Sequence, residues 1–169
     1  MLGSGRSNCK VTVKKNKIIK VYEDFAEKRY LNELNVYLYA KKKKLSYIPK
    51  LLDYDKNKYK LVIQNVGKPL TQYRKRLEYF LPKIKKAYNN LVKNKIYHND
   101  LRLKNILYNE KLDKIYLIDF ENSGPKYKDT DYENLVKKIK KIRNKSKKSN
   151  KSNKSNKKKQ TRKKTNKKN

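Results

Sequence analysis

The stretch that decides the fold reads Tyr97-His98-Asn99-Asp100-Leu101-Arg102-Leu103-Lys104-Asn105. It is followed, after a predicted pair of short strands, by Leu117-Ile118-Asp119-Phe120-Glu121. Asp119 ends an apolar strand, where a carboxylate is costly unless another group compensates it. Oxygen ligands from Asn105 and Asp119 suit Mg²⁺, which is usually shared with substrate phosphates. Asp100 beside such a metal would accept the proton of an attacking hydroxyl, so this stretch predicts phosphoryl transfer.

The chain before this stretch is rich in β-strands. Residues 10–22 predict a hairpin around a Lys-Lys-Asn-Lys turn, and 50–54 with 58–62 predict a second strand pair. Between them, residues 24–42 have apolar positions three and four apart, which predicts a helix. Gly67-Lys68-Pro69 is predicted to break regular structure and to separate this half from the next.

The second half is predicted to be mainly helical. A short helix over 70–78 and a longer one over 81–95 are expected, the latter with Pro82 in its first turn. Strands are expected over 106–108 and 114–118, and a last helix from Thr130, with Glu133 at the spacing of a capping box. This order predicts an α+β protein of two small lobes, 1–66 and 67–143, joined near 64–67.

These motifs resemble the signatures of the protein-kinase-like superfamily, H-R-D-L-x-x-x-N and D-F-G. The His-Asn-Asp form, with 105–110 and 118–121, looks especially like the choline/ethanolamine kinase and aminoglycoside phosphotransferase branch. The brevity of the chain looks more like the small atypical protein kinases. The resemblance covers about residues 1–142 and implies a bilobal kinase-like fold with a reduced C-terminal lobe.

The resemblance also implies a role for each motif residue in a reaction that uses ATP and Mg²⁺. Asp100 would be the catalytic aspartate, and Arg102 would lie on the transferring phosphate. Asn105 and Asp119 would hold the metal, while His98 would brace the loop. A further aspartate that supports this loop in the superfamily would correspond to Asp131.

The remaining implied roles concern the nucleotide and belong to the first lobe. Lys20 would bind the α- and β-phosphates, with Glu33 as its ion-pair partner and Glu27 as the alternative. The loop from Gly3 to Asn8, with Gly3 and Gly5, resembles the glycine-rich loop over the phosphates. In the hinge, Gln64 and Val66 would meet adenine.

The sequence departs from the family pattern at three places. Asn8 replaces the third glycine, Glu121 replaces the glycine of Asp-Phe-Gly, and only residues 122–129 separate Asp119 from the last helix. The first prediction is a small atypical Ser/Thr protein kinase with a protein substrate. The alternatives are a choline- or aminoglycoside-type small-molecule kinase, and a pseudokinase scaffold whose basic tail binds nucleic acid.

The charge of the chain concentrates at its end. The 169 residues carry a formal charge of +34, and residues 137–169 contain no acidic residue. Residues 144–169 are Lys, Asn and Ser with almost nothing apolar, so they are predicted to be disordered. Such a tail favours binding to nucleic acid or to an acidic partner, or a nuclear-localisation role. For the positive charge of the preceding core, codon bias is as good an explanation as a bound ligand.

Several classes of protein are excluded by single residues or by the absence of a pattern. Cys9 is the only cysteine and His98 the only histidine, which rules out an intramolecular disulfide and a Cys/His zinc site. No apolar run approaches a membrane span, and no signal sequence is recognised. We therefore expect a soluble protein without membrane contact in a reducing intracellular compartment, cytoplasmic or nuclear.

Overall fold

The computed structural model describes residues 9–124 and 131–144. The chain separates into two compact units, the first ending at Leu135 and the second beginning at Val136. The site described below belongs entirely to the first unit. Gly3, Gly5, Thr130 and the tail predicted to be disordered lie outside the described residues.

The first sheet is formed by the four strands predicted in the first half of the chain. These are β1 (Cys9–Val13), β2 (Lys17–Tyr22), β3 (Leu51–Asp55) and β4 (Lys60–Gln64), all antiparallel in the order β1-β2-β4-β3. Because side chains alternate along a strand, Ile18, Lys20 and Tyr22 of β2 share one buried face. The lysine therefore enters the interior with two apolar neighbours.

Helix α1 (Glu27–Lys42) follows a short 3-10 turn, Asp24–Ala26. Its buried stripe consists of Tyr30, Glu33, Leu34, Tyr37 and Ala40, the three- and four-residue spacing of one helix face. Glu33 is thus a carboxylate within an otherwise non-ionic stripe. Such a group requires a buried cation or hydrogen-bond donor beside it.

Helix α2 (Leu77–Lys93) begins four residues before the predicted start, after a 3-10 turn over Leu70–Arg76 that is kinked at Tyr73. The prediction that Pro82 occupies the first turn is wrong, because Pro82 is the sixth residue of the helix. Proline removes one backbone hydrogen bond there. Burial of Leu77 and Phe80 in the first turn offsets that loss, since both are almost inaccessible.

The second sheet contains β5 (Lys68–Pro69), β6 (Ile106–Asn109) and β7 (Lys114–Leu117), in that order and antiparallel. The sequence predicted only a break at 67–69, whereas the structure pairs this segment with β6. Gly67 has φ of +153°, and a Cβ there would lie 2.0 Å from the Tyr108 carbonyl oxygen. Only glycine permits this approach of the hinge to the second sheet.

The β6–β7 turn is bound to α2 through one carboxylate. Asp113 accepts hydrogen bonds from the hydroxyls of Tyr79 and Tyr108, each 2.7 Å long, and forms a 2.6 Å ion pair with Lys83. Lys83 and the two hydroxyls lower the pKa of Asp113 to about 2. The carboxylate thereby fixes the turn that joins β6 and β7, the two strands between the 97–105 and 117–121 motifs.

A last helix, α3, covers residues 131–144. None of the helices in the described ranges is long and apolar enough to cross a membrane. The predicted α+β class with antiparallel sheets is confirmed, and the strands of the first sheet lie within two residues of their predicted positions.

Candidate active site

Lys20 connects three elements at the centre of the site. Its ammonium donates to Glu33 Oε2 of α1 and to Asp119 Oδ1, the latter at 2.8 Å. Lys20 is 6% exposed and Glu33 is fully buried. Burial opposes the charged form, yet Glu33, Tyr22 and Asp119 together raise the pKa of Lys20 well above its ordinary value. The ammonium is therefore kept charged inside the protein.

Tyr22 completes this cluster and was not anticipated from the sequence. Its hydroxyl donates to the same Glu33 Oε2 that accepts from Lys20. Burial and the neighbouring Glu33 carboxylate raise the pKa of Tyr22, so the hydroxyl keeps its proton. The signal was available, because Tyr22 follows Lys20 by two residues and lies on the same face of β2. Glu27, the alternative partner for Lys20, is exposed.

The loop before β6 arranges Asp100 with two neighbours. Arg102 Nε donates to Asp100 Oδ1. Asn105 Nδ2 donates to the Asp100 carbonyl oxygen at 3.0 Å and approaches its Oδ2 at 3.4 Å. A 3-10 turn over Leu103–Asn105 holds this geometry. In this turn the backbone N–H of Asn105 donates to the carbonyl oxygen of Arg102 at 2.9 Å. The carboxylate is thus oriented from two sides.

Asn105 and Asp119 are brought together by the pairing of β6 with β7. Ile106 pairs with Leu117, and the Ile118 amide donates to the Asn105 carbonyl at 3.0 Å. Both side chains line the same cleft. Because Asn105 Nδ2 is used by Asp100, its Oδ1 remains as the oxygen able to bind a cation.

The donor set fits Mg²⁺. Asn105 Oδ1 and the Asp119 carboxylate are hard oxygen ligands, and this ion typically takes only one or two from protein beside water and phosphate. Burial alone would raise the pKa of Asp119, but the Lys20 ammonium and its hydrogen bond hold it below its ordinary value. Asp119 is therefore ionised, as a ligand must be.

His98 supports the strand end that carries Asp119. The ring is 1% exposed, and its Nε2 donates to the Ile118 carbonyl oxygen at 2.9 Å. Burial lowers the pKa of His98, which favours the neutral imidazole. The ring also packs against Phe120, 4.9 Å away between centroids. Its position favours the bracing role that the resemblance implied.

Glu121 links α1 to the segment that carries Asp119. Its carboxylate lies 3.6 Å from Arg29 Nη1, and its carbonyl oxygen accepts a 3.2 Å hydrogen bond from Asn32 Nδ2. Burial and the nearby Asp119 carboxylate raise the pKa of Glu121. Arg29 and Asn32 gave no sequence signal, since both contacts join residues about ninety positions apart. These contacts stabilise one position of α1, the one in which Glu33 reaches Lys20.

A cleft of about 340 Å³ opens between the two sheets over these residues. Val11, Val13 and Ile18 of the first sheet, Leu107 of the second sheet and Ile118, which directly follows β7, supply its apolar walls. Lys20, Asn105 and Asp119 lie among its polar lining residues. An apolar slot ending in a lysine and metal ligands suits a flat base attached to phosphates.

The hinge side chains differ from those expected. Ile63, Asn65 and Gly67 line the cleft, whereas Gln64 lines another cavity and Val66 is buried. For Gln64 the reason is strand alternation. Because Ile63 faces the cleft, the side chain of the next residue of β4, Gln64, points away from it. Any contact of Gln64 or Val66 with adenine would involve their backbone groups.

The sequence and the fold were compared with those of known proteins, and both comparisons found kinases. A family model described as choline/ethanolamine kinase matches residues 10–165. Among solved structures, a kinase, PK-1, of Cydia pomonella granulovirus has a TM-score of 0.51 and 22% identity, which shows the fold alone. The alignment covers 66% of this chain and 44% of the viral kinase, so the chain spans less than half of that protein's length. No curated protein matches the sequence.

Proposed function

Because the chain belongs to the choline/ethanolamine kinase family, we propose that it transfers the terminal phosphate of ATP to a hydroxyl group. Membership confirms the predicted resemblance to the protein-kinase-like superfamily and implies the use of ATP, typically with Mg²⁺. The observation that carries the proposal is the Lys20 ammonium bound to both Glu33 and Asp119, with Asn105 and Asp100 beside them.

The residues present supply the parts that phosphoryl transfer needs. Lys20 would neutralise the α- and β-phosphates, and Arg102 the phosphate in transit. Asn105 and Asp119 would hold Mg²⁺, which supplies charge neutralisation between the phosphates. Asp100 would orient the acceptor hydroxyl and take its proton as the oxygen–phosphorus bond forms. ADP leaves as the bond to the terminal phosphate breaks.

Nucleotide binding can be tested without knowing the acceptor. Addition of ATP with Mg²⁺ at a hundredfold excess over Kd should raise the Tm of the protein by about 8 °C, because a ligand that binds only the folded state stabilises it. In Asp119→Ala the part of this shift that depends on Mg²⁺ should vanish. The measurement is a thermal melt with ATP in Mg²⁺ and in EDTA.

The matched control for that melt is Asp53→Ala. This variant removes an exposed carboxylate of β3 that is paired with Lys60 of β4. It should give the same shift as the unmodified protein. An equal Mg²⁺-dependent shift in Asp119→Ala would contradict the metal site, and no shift with ATP in the unmodified protein would contradict the whole proposal.

For the acceptor, we propose Ser and Thr hydroxyls of acidic protein segments. Arg102 pairs with the Asp100 carboxylate, and its side chain is 54% exposed. Lys104 Nζ lies 4.0 Å from Asp119 Oδ2, at the cleft, and its side chain is 59% exposed. Two accessible cations, one at Asp100 and one near Asp119, favour an anionic acceptor and repel a quaternary ammonium. The second candidate is an amino alcohol, which the family match favours.

A transfer assay separates the two acceptor classes. With labelled ATP, an acidic, serine-rich protein should accept phosphate at least about tenfold faster than choline or ethanolamine at matched hydroxyl concentration, because the two cations each oppose a cationic acceptor. The double variant Arg102→Gln/Lys104→Gln, which removes both positive charges, should reduce the ratio between the transfer rate to the acidic protein and the rate to choline or ethanolamine. Faster transfer to choline in the unmodified protein would establish the second candidate instead.

A further inference from the structure

A second cavity, of about 430 Å³, lies where α1 ends. Its walls come from the last turns of α1, from loop 44–50, and from the ends of β4 and β7. It shares no lining residue with the cleft that holds Lys20 and Asp119. The proposed phosphotransferase reaction makes no use of it.

The cavity is lined by cations without counter-ions. Lys41, Lys44, Lys50 and Lys114 contribute to its wall, and no acidic residue does. None of these four forms an ion pair among the residues that the structure describes. An uncompensated group of like charges raises the free energy of the unliganded site and favours an anion there.

Lys114 is the most constrained of the four lysines. Its ammonium lies 5.2 Å from the ring centre of Tyr47 and 5.1 Å from that of Tyr116. Both distances are within the range of cation–π attraction. Burial lowers the pKa of Lys114, and no carboxylate offsets that effect. The charged end is therefore held at the cavity by two aromatic faces instead of by an acid.

Most of the remaining lining is apolar, and backbone hydrogen bonds hold the loop that contributes to it. Buried side chains of Tyr37, Ala40, Ile48 and Leu51 contribute to the walls. The Leu117 amide donates to the Tyr47 carbonyl at 2.8 Å, which attaches the loop to β7. A cavity of this volume with a few polar groups has the usual character of a small-molecule site.

Lys44 adds a local feature at the end of α1. Its φ is +52°, and the Leu45 amide donates to the Ala40 carbonyl at 2.9 Å. This is the left-handed position after a helix that glycine normally occupies. Glycine would fit this backbone conformation better, yet the residue here is a lysine, and it lines the cavity.

We propose that this cavity binds a small organic anion, with an aromatic or aliphatic body against the apolar wall and a single acidic group among the four lysines. The positive charges of the four lysines favour an acidic group on the ligand. The apolar part of the cavity wall favours an aromatic or aliphatic body. The proposal does not depend on the phosphotransferase activity and remains testable if that activity fails.

The test uses anilinonaphthalene sulfonate as the probe, with phenylnaphthylamine as the same ring system lacking the sulfonate. Fluorescence titration of the full chain should show binding of the sulfonate at least about tenfold tighter than that of the neutral compound. Lys41→Met, Lys44→Gly and Lys114→Met should each weaken sulfonate binding about three- to tenfold. Lys44→Gly should also unfold at a Tm equal to or above that of the unmodified protein.

The matched control is Lys42→Met, which removes the neighbouring exposed lysine that does not line the cavity. It should leave the affinity for the sulfonate unchanged. Equal affinities in Lys41→Met and Lys42→Met, or equal binding of the neutral compound, would overturn the proposal.

Discussion

Replacement of Asp100 by Asn should lower the rate of phosphoryl transfer about 10³-fold while leaving nucleotide binding nearly unchanged. General base assistance and orientation by a positioned carboxylate typically contribute a factor of this size. Asn keeps the shape of the side chain and an oxygen able to accept from Arg102 Nε, as Asp100 Oδ1 does. The substitution therefore removes the charge and the proton acceptor and little else.

The measurement is single-turnover transfer from labelled ATP, combined with the thermal shift by ATP and Mg²⁺. A shift equal to that of the unmodified protein, with transfer lost, separates Asp100 from the nucleotide ligands. Asp53→Asn serves as the control, because its carboxylate is 60% exposed and forms an ion pair with Lys60 on the first sheet. Transfer within threefold of normal in Asp100→Asn would contradict the proposed role.

The part of the site around Asp100 could be predicted because its residues are close in sequence. Asp100 and Asn105 lie in one loop, and the register of β6 with β7 places Asp119 beside them. The prediction needed only a strand pair between two short motifs. Lys20 was also accessible to prediction, since alternation along β2 determines that it faces inward.

Contacts between distant elements were beyond prediction from the sequence. The Arg29–Glu121 ion pair depends on how α1 lies against the segment after β7, which no local pattern encodes. The start of α2 was misjudged for a related reason. Local rules assign Pro82 to a first turn, whereas burial of Leu77 and Phe80 against the rest of the lobe extends the helix beyond it.

The buried pair of Lys20 and Glu33 gives the other large expected effect. Lys20→Met should destabilise the protein by about 3 kcal/mol, because Glu33 would stay fully buried with only the Tyr22 hydroxyl as a donor. Glu33→Leu should cost less, since Lys20 retains its 2.8 Å contact with Asp119. Urea unfolding measures both, and both variants should lose most of the transfer activity.

The double variant Lys20→Met/Glu33→Leu should recover stability to within about 1 kcal/mol of the unmodified protein, because buried ion pairs replaced by apolar groups of similar volume commonly cost little. Asp119, whose side chain is 19% exposed, can then be hydrated. Transfer should remain lost. Destabilisation equal to the sum of the two single changes would show that the charges do not act as a pair. Restored stability without activity would mean that the ion pair contributes little to the stability of the fold. Its function would then be to hold Lys20 in place for the phosphates.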